Sequence, residues 1–180
     1  MKTLVIIDMQ NDFCTGALKN DDAVKAIPFI KEQIKLAMEN GYKIIFTRDT
    51  HQSNYLETTE GTHLPVVHCI SGTEGWNVVS ELEELVEDYD KVQYVNKNHF
   101  GYDGWHSLID NGDEVVMVGT CTDICVVSNA LAIKTIEGVE VTILAEGCAG
   151  LTPEKHEHAL DVMSSSQCKV MVVGGIQDLS

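Results

Sequence analysis

Positive charge is scarce in this sequence, because only 12 lysines and arginines stand against 28 aspartates and glutamates, for a formal net charge of −16. Such a charge repels phosphate backbones and anionic lipid, so we expect neither nucleic acid nor a membrane as a partner. No apolar run approaches the roughly 20 residues that a membrane span needs. The apolar run that ends at Asp8 is too short for a signal peptide and is typical of a buried strand. We therefore expect a cytoplasmic protein.

The sequence has no CxxC pair, although it contains six cysteines. Cysteines scattered through a mid-sized chain without a signal peptide indicate reduced thiols and not a disulfide scaffold. Most cysteines pack as small buried hydrophobes, so any one of them needs a specific reason to be called functional.

Short apolar runs alternate with segments of helical spacing. We predict strands at 4–8, 43–47, 92–95, 114–118, 140–144 and 170–173, and helices at 22–39, 77–87, 123–136 and 153–165. Pro153 is expected at the first helical position, with Thr152 as its cap. The alternation predicts one α/β domain over residues 1–180, with three layers and a six-stranded parallel sheet. Segment 48–75 has no convincing period, and a loop of that length is usually functional or disordered.

Side chains that could take part in catalysis or bind a ligand stand at the ends of four predicted strands. Asp8 ends the first, Asp49 follows the second, Lys97 follows the third, and the segment 119–125 follows the fourth. Ligands of open parallel sheets bind outside the carboxyl ends of the strands. The sequence therefore predicts a functional site at this edge of the sheet, which we call the carboxyl rim.

Cys125 falls in the first turn of a predicted helix, just after a strand that ends at Gly119. The helix dipole and the free N–H groups of that turn would stabilise a thiolate, and the same groups could hold an oxyanion. Asp8 is a candidate proton acceptor, with Lys97 keeping it ionised. The structural alternatives are a buried packing cysteine, an aspartate that caps a helix and a solvated lysine.

The long segment 48–75 is rich in possible metal ligands. An Asp-x-His pair is followed by further His and Glu residues: Asp49, His51, Glu57, Glu60, His63 and His68. Mixed nitrogen and oxygen ligands suit Zn²⁺, Fe²⁺ or Mn²⁺ at a catalytic site. Histidines in a loop are more often simply solvated, so this cluster is a hypothesis.

Five separate motifs, in the same order along the chain, resemble the isochorismatase-like cysteine hydrolases and within them the nicotinamidase/pyrazinamidase group. They span residues 8–14, 47–51, 68–73, 97–101 and 119–126. The resemblance implies a catalytic triad of Asp8, Lys97 and Cys125, in which the thiolate attacks a carboxamide, ammonia leaves and water hydrolyses the thioester. It also implies a cis peptide bond between Thr120 and Cys121, beside an oxyanion site.

The resemblance further implies one divalent metal ion (Zn, Fe or Mn) that binds the pyridine nitrogen of the substrate. Three residues match its ligands directly: Asp49, His51 and His68. We expect Glu60 as the fourth ligand, with Glu57 and His63 as rivals. The position where nicotinamidases often carry an aromatic residue is Pro65, so we expect the aromatic wall of the substrate site from Phe13, Tyr102 or Trp105.

The leading hypothesis is an amidohydrolase that converts nicotinamide to nicotinate and ammonia in NAD salvage. A related enzyme acting on another small carboxamide or ureide is the first alternative. A thiol redox or binding module that uses Cys121 and Cys125 is the non-enzymatic alternative. The resemblance also implies a homodimer or homotetramer.

Overall fold

The computed structural model, described here for residues 1–179, contains six strands that pair side by side in one parallel sheet. The strands are β1 (Lys2–Ile7), β2 (Lys43–Asp49), β3 (Val92–Lys97), β4 (Glu114–Thr120), β5 (Glu140–Ala149) and β6 (Lys169–Met171). Their order in the sheet is β3-β2-β1-β4-β5-β6. The chain winds outward from β1 through β2 to β3, and then returns to the other side of β1 with β4. The winding therefore reverses between β1 and β4, where ligands of such sheets bind.

Six α-helices accompany the sheet: α1 (Asn11–Cys14), α2 (Asp21–Glu39), α3 (Thr59–His63), α4 (Ser80–Glu83), α5 (Val127–Ile133) and α6 (Pro153–Ser165). Alternate residues of a strand face opposite sides, and β1 follows this rule. Leu4 and Ile6 belong to a core that includes the buried face of α2, whereas Val5 and Ile7 belong to a second core with α5 and α6. This arrangement confirms the predicted α/β fold with helices on both faces of a parallel sheet.

Two predicted helices differ from the observed ones. The segment 77–87 contains only α4 and a 3₁₀ turn (Glu84–Val86), and both contact α2. The segment 123–136 begins as a π-helical turn (Thr122–Val126) and continues as α5 only to Ile133. The prediction of a uniform α-helix in this segment was therefore wrong.

The other predicted elements agree with the structure to within a few residues. Helix α6 has the predicted bounds, and the Thr152 hydroxyl accepts a hydrogen bond from the N–H of Lys155. Helix α2 starts at Asp21 because the Asn20 side chain caps it. Strand β6 stops at Met171, and the following Val172 and Val173 are exposed.

Segment 48–75 is neither disordered nor a single open loop. Beyond the end of β2 it contains a 3₁₀ turn (Tyr55–Glu57) and α3. An isolated β-bridge between His51 and Ile70 joins the two sides of the segment next to the carboxyl rim. A membrane-spanning helix is not among the elements found in residues 1–179, since none combines the necessary length with the necessary hydropathy.

Candidate active site

Asp8 directly follows β1 at the centre of the sheet. Its backbone is left-handed, with φ of 49°, and its side chain is fully buried. The Thr47 hydroxyl on the neighbouring β2 donates a hydrogen bond of 2.6 Å to Asp8 Oδ1, and the N–H of Asp8 donates to the same hydroxyl. Non-glycine residues with positive φ are uncommon and tend to occur at functional sites. Here the backbone and Thr47 together fix the direction of the carboxylate.

Lys97, the last residue of β3, is buried among four polar groups. Its Nζ lies 2.6 Å from Asp8 Oδ2, in an ion pair without good hydrogen-bond alignment. The same nitrogen lies 3.6 Å from Cys125 Sγ and 3.7 Å from Asp49 Oδ1. It also donates a hydrogen bond of 3.2 Å to the carbonyl of His99. One ammonium group therefore connects the carboxylate, the thiol and the cluster of possible metal ligands.

Cys125 lies in the π-helical turn that follows β4. In this turn the N–H of Val126 donates to the carbonyl of Cys121, five residues back, at 3.0 Å. Before the turn, Gly119 has φ of 126°, and a Cβ atom there would overlap the carbonyl oxygen of Ile7 on β1. The peptide bond between Thr120 and Cys121 is cis. Single π turns are rare and often occur at functional sites. The close approach of β4 to β1 and the wide π turn together bring Cys125 beside Lys97.

Burial and charge act in opposite directions on the three groups. Burial raises the pKa of the Cys125 thiol well above its ordinary value, Asp8 adds to this, and Lys97 opposes it. Burial also raises the pKa of Asp8, and Lys97 again opposes it. Burial would lower the pKa of Lys97, but the negative charge of Asp8 raises it above its ordinary range. At neutral pH, Lys97 is therefore charged and the resting form of Cys125 is the thiol.

Four residues of the long segment converge next to this group. One ligand atom from each of Asp49, His51, Glu60 and His68 lies within 4.8 Å of all the others. The Nε2 atom of His51 is 2.9 Å from Asp49 Oδ2 and 3.6 Å from Glu60 Oε1. The Nε2 atom of His68 is 3.4 Å and 3.6 Å from the same two carboxylates.

This cluster fits a divalent metal ion. Ligands at 2.0–2.2 Å from a tetrahedral ion are separated by about 3.3–3.6 Å, which is close to the spacings seen here. The Nδ1 atom of His68 lies 2.7 Å from the carbonyl of Val66, so its N–H points there and leaves Nε2 free to bind an ion. Burial and the charge of Asp49 raise the pKa of Glu60, and a bound divalent cation would oppose both effects.

The two rival ligands lie away from the cluster. Glu57 is exposed, and so is His63, whose ring nitrogen lies 2.9 Å from the carbonyl of Thr59. Helix α3 begins with the Thr58 cap and turns Glu60 inward towards His51. The structure therefore brings Glu60, and not Glu57 or His63, together with the other three residues.

Gln10 is a site residue that the sequence reasoning did not single out. Its side-chain oxygen accepts a 2.7 Å hydrogen bond from the N–H of Asp49, and its amide nitrogen donates to the carbonyl of Asp49 at 2.9 Å. The same nitrogen donates to the carbonyl of Trp76. Gln10 thus holds the backbone that carries one possible metal ligand. Thr47, which orients Asp8, was missed in the same way.

A cleft of about 860 Å³ opens over the rim beside these groups. We refer to it as the substrate cleft. His51 and Glu60 line it on the side of the possible metal site. The apolar side chains of Leu64, Phe100 and Ile124 also line it. A cleft with apolar walls and a few polar groups is typical of a small-molecule site.

The three expected aromatic residues lie in different surroundings. The Phe13 ring is 5.6 Å from the ring of His68, so Phe13 adjoins the possible metal site. Tyr102 lines a neighbouring pocket that also contains Lys97. Trp105 is 1% exposed and belongs to the core between the sheet and α5, where its size and the hydrogen bond from its indole N–H to Asn129 hold it. The expectation that Trp105 faces the substrate was therefore wrong, and Phe100 was not anticipated.

Comparisons with known proteins agree on one family. The family model for the isochorismatase domain matches residues 2–173. The nicotinamidase/pyrazinamidase of Mycobacterium tuberculosis is 25% identical over 187 residues, covering 95% of this chain and 98% of that protein. The structure of nicotinamidase/pyrazinamidase PncA from Bacillus subtilis matches with a TM-score of 0.81 and 29% identity, covering 94% of this chain and 98% of that one. Pyrazinamidase of Pyrococcus horikoshii in complex with zinc matches with a TM-score of 0.78 and 28% identity, with the same coverages.

Proposed function

This chain belongs to the isochorismatase domain family and is an amidohydrolase, and from that premise we propose that it hydrolyses nicotinamide to nicotinate and ammonia. The observation that carries the proposal is the position of Lys97, whose ammonium contacts Asp8, Cys125 and Asp49 at once. A nucleophile, a base and a possible metal site therefore share one buried centre. Membership of this amidohydrolase family argues against the alternative of a thiol redox or binding module. The reaction would return nicotinamide to NAD synthesis.

In the proposed acylation step, Asp8 takes the proton of the Cys125 thiol while Sγ attacks the carboxamide carbon. The raised pKa of Asp8 makes it a better base than an ordinary carboxylate, and Lys97 stabilises the charge that develops on sulfur. The N–H groups of Cys121 and Cys125 are the proposed donors to the oxyanion. Asp8 then gives its proton to the amide nitrogen, the C–N bond breaks, and ammonia leaves a thioester on Cys125.

In the proposed hydrolysis step, a water molecule gives a proton to Asp8 and attacks the thioester carbon. The C–S bond breaks, the proton returns from Asp8 to the Cys125 sulfur, and the nicotinic acid that forms gives its proton to water and leaves as nicotinate. Asp49, His51, Glu60 and His68 would hold a divalent ion, which would supply a Lewis acid that binds the pyridine nitrogen and orients the ring. The ring would then lie between that cluster and Cys125, with Phe13 beside it.

The test is ammonia release from nicotinamide by the metal-loaded protein. Cys125→Ala is expected to lower kcat by a factor of about ten thousand or more, because the nucleophile acts as one unit with its base. Cys168→Ala is the matched control, since Cys168 is also a buried free thiol but lies in the core next to β6. The control should keep kcat within about twofold. Absence of turnover by wild-type protein at millimolar nicotinamide would contradict the substrate assignment.

A second candidate is a larger carboxamide. The cleft is large for a single pyridine carboxamide, and Pro65 stands where an aromatic residue was expected, so the site has room beyond the ring. A panel of ring-substituted nicotinamides, pyrazinamide and aliphatic amides distinguishes the two candidates. A kcat/KM for a ring-substituted nicotinamide that exceeds the value for nicotinamide tenfold would favour the second candidate, at about 1.4 kcal/mol of transition-state binding.

A further inference from the structure

Asn129, on α5, is fully buried, and every hydrogen-bonding position of its side-chain amide has a partner. Its nitrogen donates to the carbonyl of Cys125 at 2.7 Å and to the carbonyl of Phe100 at 3.0 Å. Its oxygen accepts from the N–H of Tyr102 and from the indole N–H of Trp105, both at 2.9 Å. An amide has two donor and two acceptor positions, so the side-chain amide of Asn129 has no free hydrogen-bonding position left.

These four bonds join two parts of the site that are far apart in sequence. One partner, Cys125, is the proposed nucleophile. The other three belong to the segment after β3, which has no regular structure from residue 98 to residue 104 and ends at the 3₁₀ turn Trp105–Ser107. We call residues 98–104 the wall loop, because His99 and Phe100 line the substrate cleft.

The wall loop has few other polar attachments to the rest of the protein. The carbonyl of His99 accepts a hydrogen bond from Lys97, two residues before it, but this contact is local. Asn129 holds the backbone of the loop at two points, and Trp105 anchors its end in the core. Backbone groups of an irregular segment need such partners, because buried polar groups without them are costly.

We propose that Asn129 is a positioning residue that fixes the wall loop, and with it the Phe100 side of the substrate cleft, at a set distance from Cys125. The kinetic consequence rests on the proposed amide hydrolysis, but the structural consequence does not. If the loop loses its attachment, the cleft wall moves while the nucleophile and its base stay in place. Substrate binding should then weaken more than the chemical step.

Asn129→Ser separates the bond to Cys125 from the bonds to the segment after β3. A serine on a helix can donate to the carbonyl four residues back, as Ser128 does here to Ile124 at 2.6 Å, so the bond to Cys125 is retained. The side chain is too short to reach Phe100, Tyr102 or Trp105. Asn129→Thr has the same reach and fills more of the space, and it carries the same test if the serine variant does not fold.

Gln33→Ala is the matched control. Gln33 is also a buried amide that holds a chain segment, since its oxygen accepts a hydrogen bond from the N–H of Ile176, but it lies on α2 away from the cleft. This variant should lower the melting temperature without changing the KM for nicotinamide. It therefore shows what the loss of a purely structural amide does to the enzyme.

Two measurements decide the inference: steady-state kinetics with nicotinamide, and hydrogen–deuterium exchange of peptides covering the wall loop. Asn129→Ser is expected to raise KM about tenfold with kcat within about threefold, and to speed exchange in the wall loop about tenfold while the sheet is unchanged. Wild-type KM and wild-type loop exchange, with only a lower melting temperature, would overturn the inference. If wild-type protein does not hydrolyse nicotinamide, the proposed function fails, and loop exchange still decides the role of Asn129.

Discussion

Lys97 is a single buried cation among acidic and thiol groups, and the Asp8 carboxylate depends on it. Taking a charged pair out of water is costly, and removal of one partner leaves the other unpaired in a poor solvent. Asp8 is fully buried and also receives a hydrogen bond from Thr47. We therefore expect the lysine to contribute both to the proposed chemistry and to folding.

Lys97→Met is expected to abolish turnover and to lower the free energy of unfolding by about 3–5 kcal/mol at about pH 7.5. Without Lys97, the pKa of Asp8 rises further in the folded state than in the unfolded state. The folded protein then binds a proton that the unfolded chain does not, so stability falls as pH rises towards that pKa. The loss should be smaller at about pH 5, as measured by urea unfolding of metal-free protein.

Lys19→Met is the control for this change, because Lys19 is exposed. It should alter the free energy of unfolding by less than about 0.5 kcal/mol. The double variant Asp8→Asn, Lys97→Met removes both charges and should recover part of the lost stability. If Lys97→Met lowers the free energy of unfolding equally at both pH values, Asp8 is not the group responsible for the pH dependence.

Glu60→Gln tests the proposed metal site one ligand at a time. The carboxylate lies 3.6 Å from Nε2 of both His51 and His68, so its loss should weaken zinc binding at least about tenfold. Glu57→Gln is the matched control, because Glu57 lies in the same segment but is exposed. Competition with a chromogenic chelator measures both affinities. Weaker binding by Glu57→Gln, with Glu60→Gln unchanged, would reverse the assignment of the fourth ligand.

Sequence reasoning was most successful in predicting which polar side chains lie close together. Asp8, Asp49 and Lys97 could be predicted as neighbours because each stands at the carboxyl end of a strand, and such ends meet at one rim. Gln10 and Asn129 could not, because their roles depend on hydrogen bonds to backbone groups that are distant in sequence. Trp105 was misplaced because an aromatic residue after a strand is equally compatible with the core and with a cleft.

At the scale of elements, α6 supports the turn that carries Cys125. The Thr122 hydroxyl in that turn lies 2.8 Å from Nδ1 of His156 on α6. Just before α6, the N–H of Leu151 donates to Asp123 at 2.9 Å. The start of α6 is set by Pro153 and by the Thr152 cap, so a local sequence signal helps to position a distant part of the site.

Thr152→Ala is expected to lower the free energy of unfolding by about 1 kcal/mol, because the N–H of Lys155 loses its acceptor. Urea unfolding monitored by circular dichroism measures the change. Ser164→Ala, at an exposed position of the same helix, is the control and should change stability by less than about 0.5 kcal/mol. Equal effects of the two substitutions would show that the cap contributes nothing specific.

Elements with strong local signals could be predicted, whereas elements shaped by packing could not. Helix α6 has a proline and a cap at its start, and its bounds agree with the prediction. The π turn at Thr122–Val126 has no sequence signal of its own, because it depends on how β4 approaches β1 at Gly119. The segment 77–87 has helical spacing, but it forms only the short α4 and a 3₁₀ turn, both in contact with α2.

At the scale of the whole molecule, the site lies where the winding of the sheet reverses. Asp8 follows β1, which is central, and the π turn that carries Cys125 follows β4, the neighbour of β1 beyond the reversal. The alternation of strands and helices was enough to predict a parallel sheet and a shared rim. The order of the strands depends on which face each helix covers, and that choice is not encoded in the local pattern.

The net charge of −16 gives a whole-molecule prediction about the product. Nicotinamide is neutral and nicotinate is an anion of nearly the same shape, so a negative long-range field acts on one and not on the other. Raising the salt concentration from about 0.02 M to about 0.5 M shortens the screening length to a few ångströms. Inhibition by nicotinate should therefore strengthen several-fold with added salt, while the KM for nicotinamide stays constant.

Steady-state kinetics at the two salt concentrations measures both constants, with the neutral substrate as the internal control. Weaker inhibition by nicotinate with added salt would show that the local positive charge of Lys97 and of a bound metal ion outweighs the field of the molecule, and an equal change in both constants would show a general effect of salt on the enzyme.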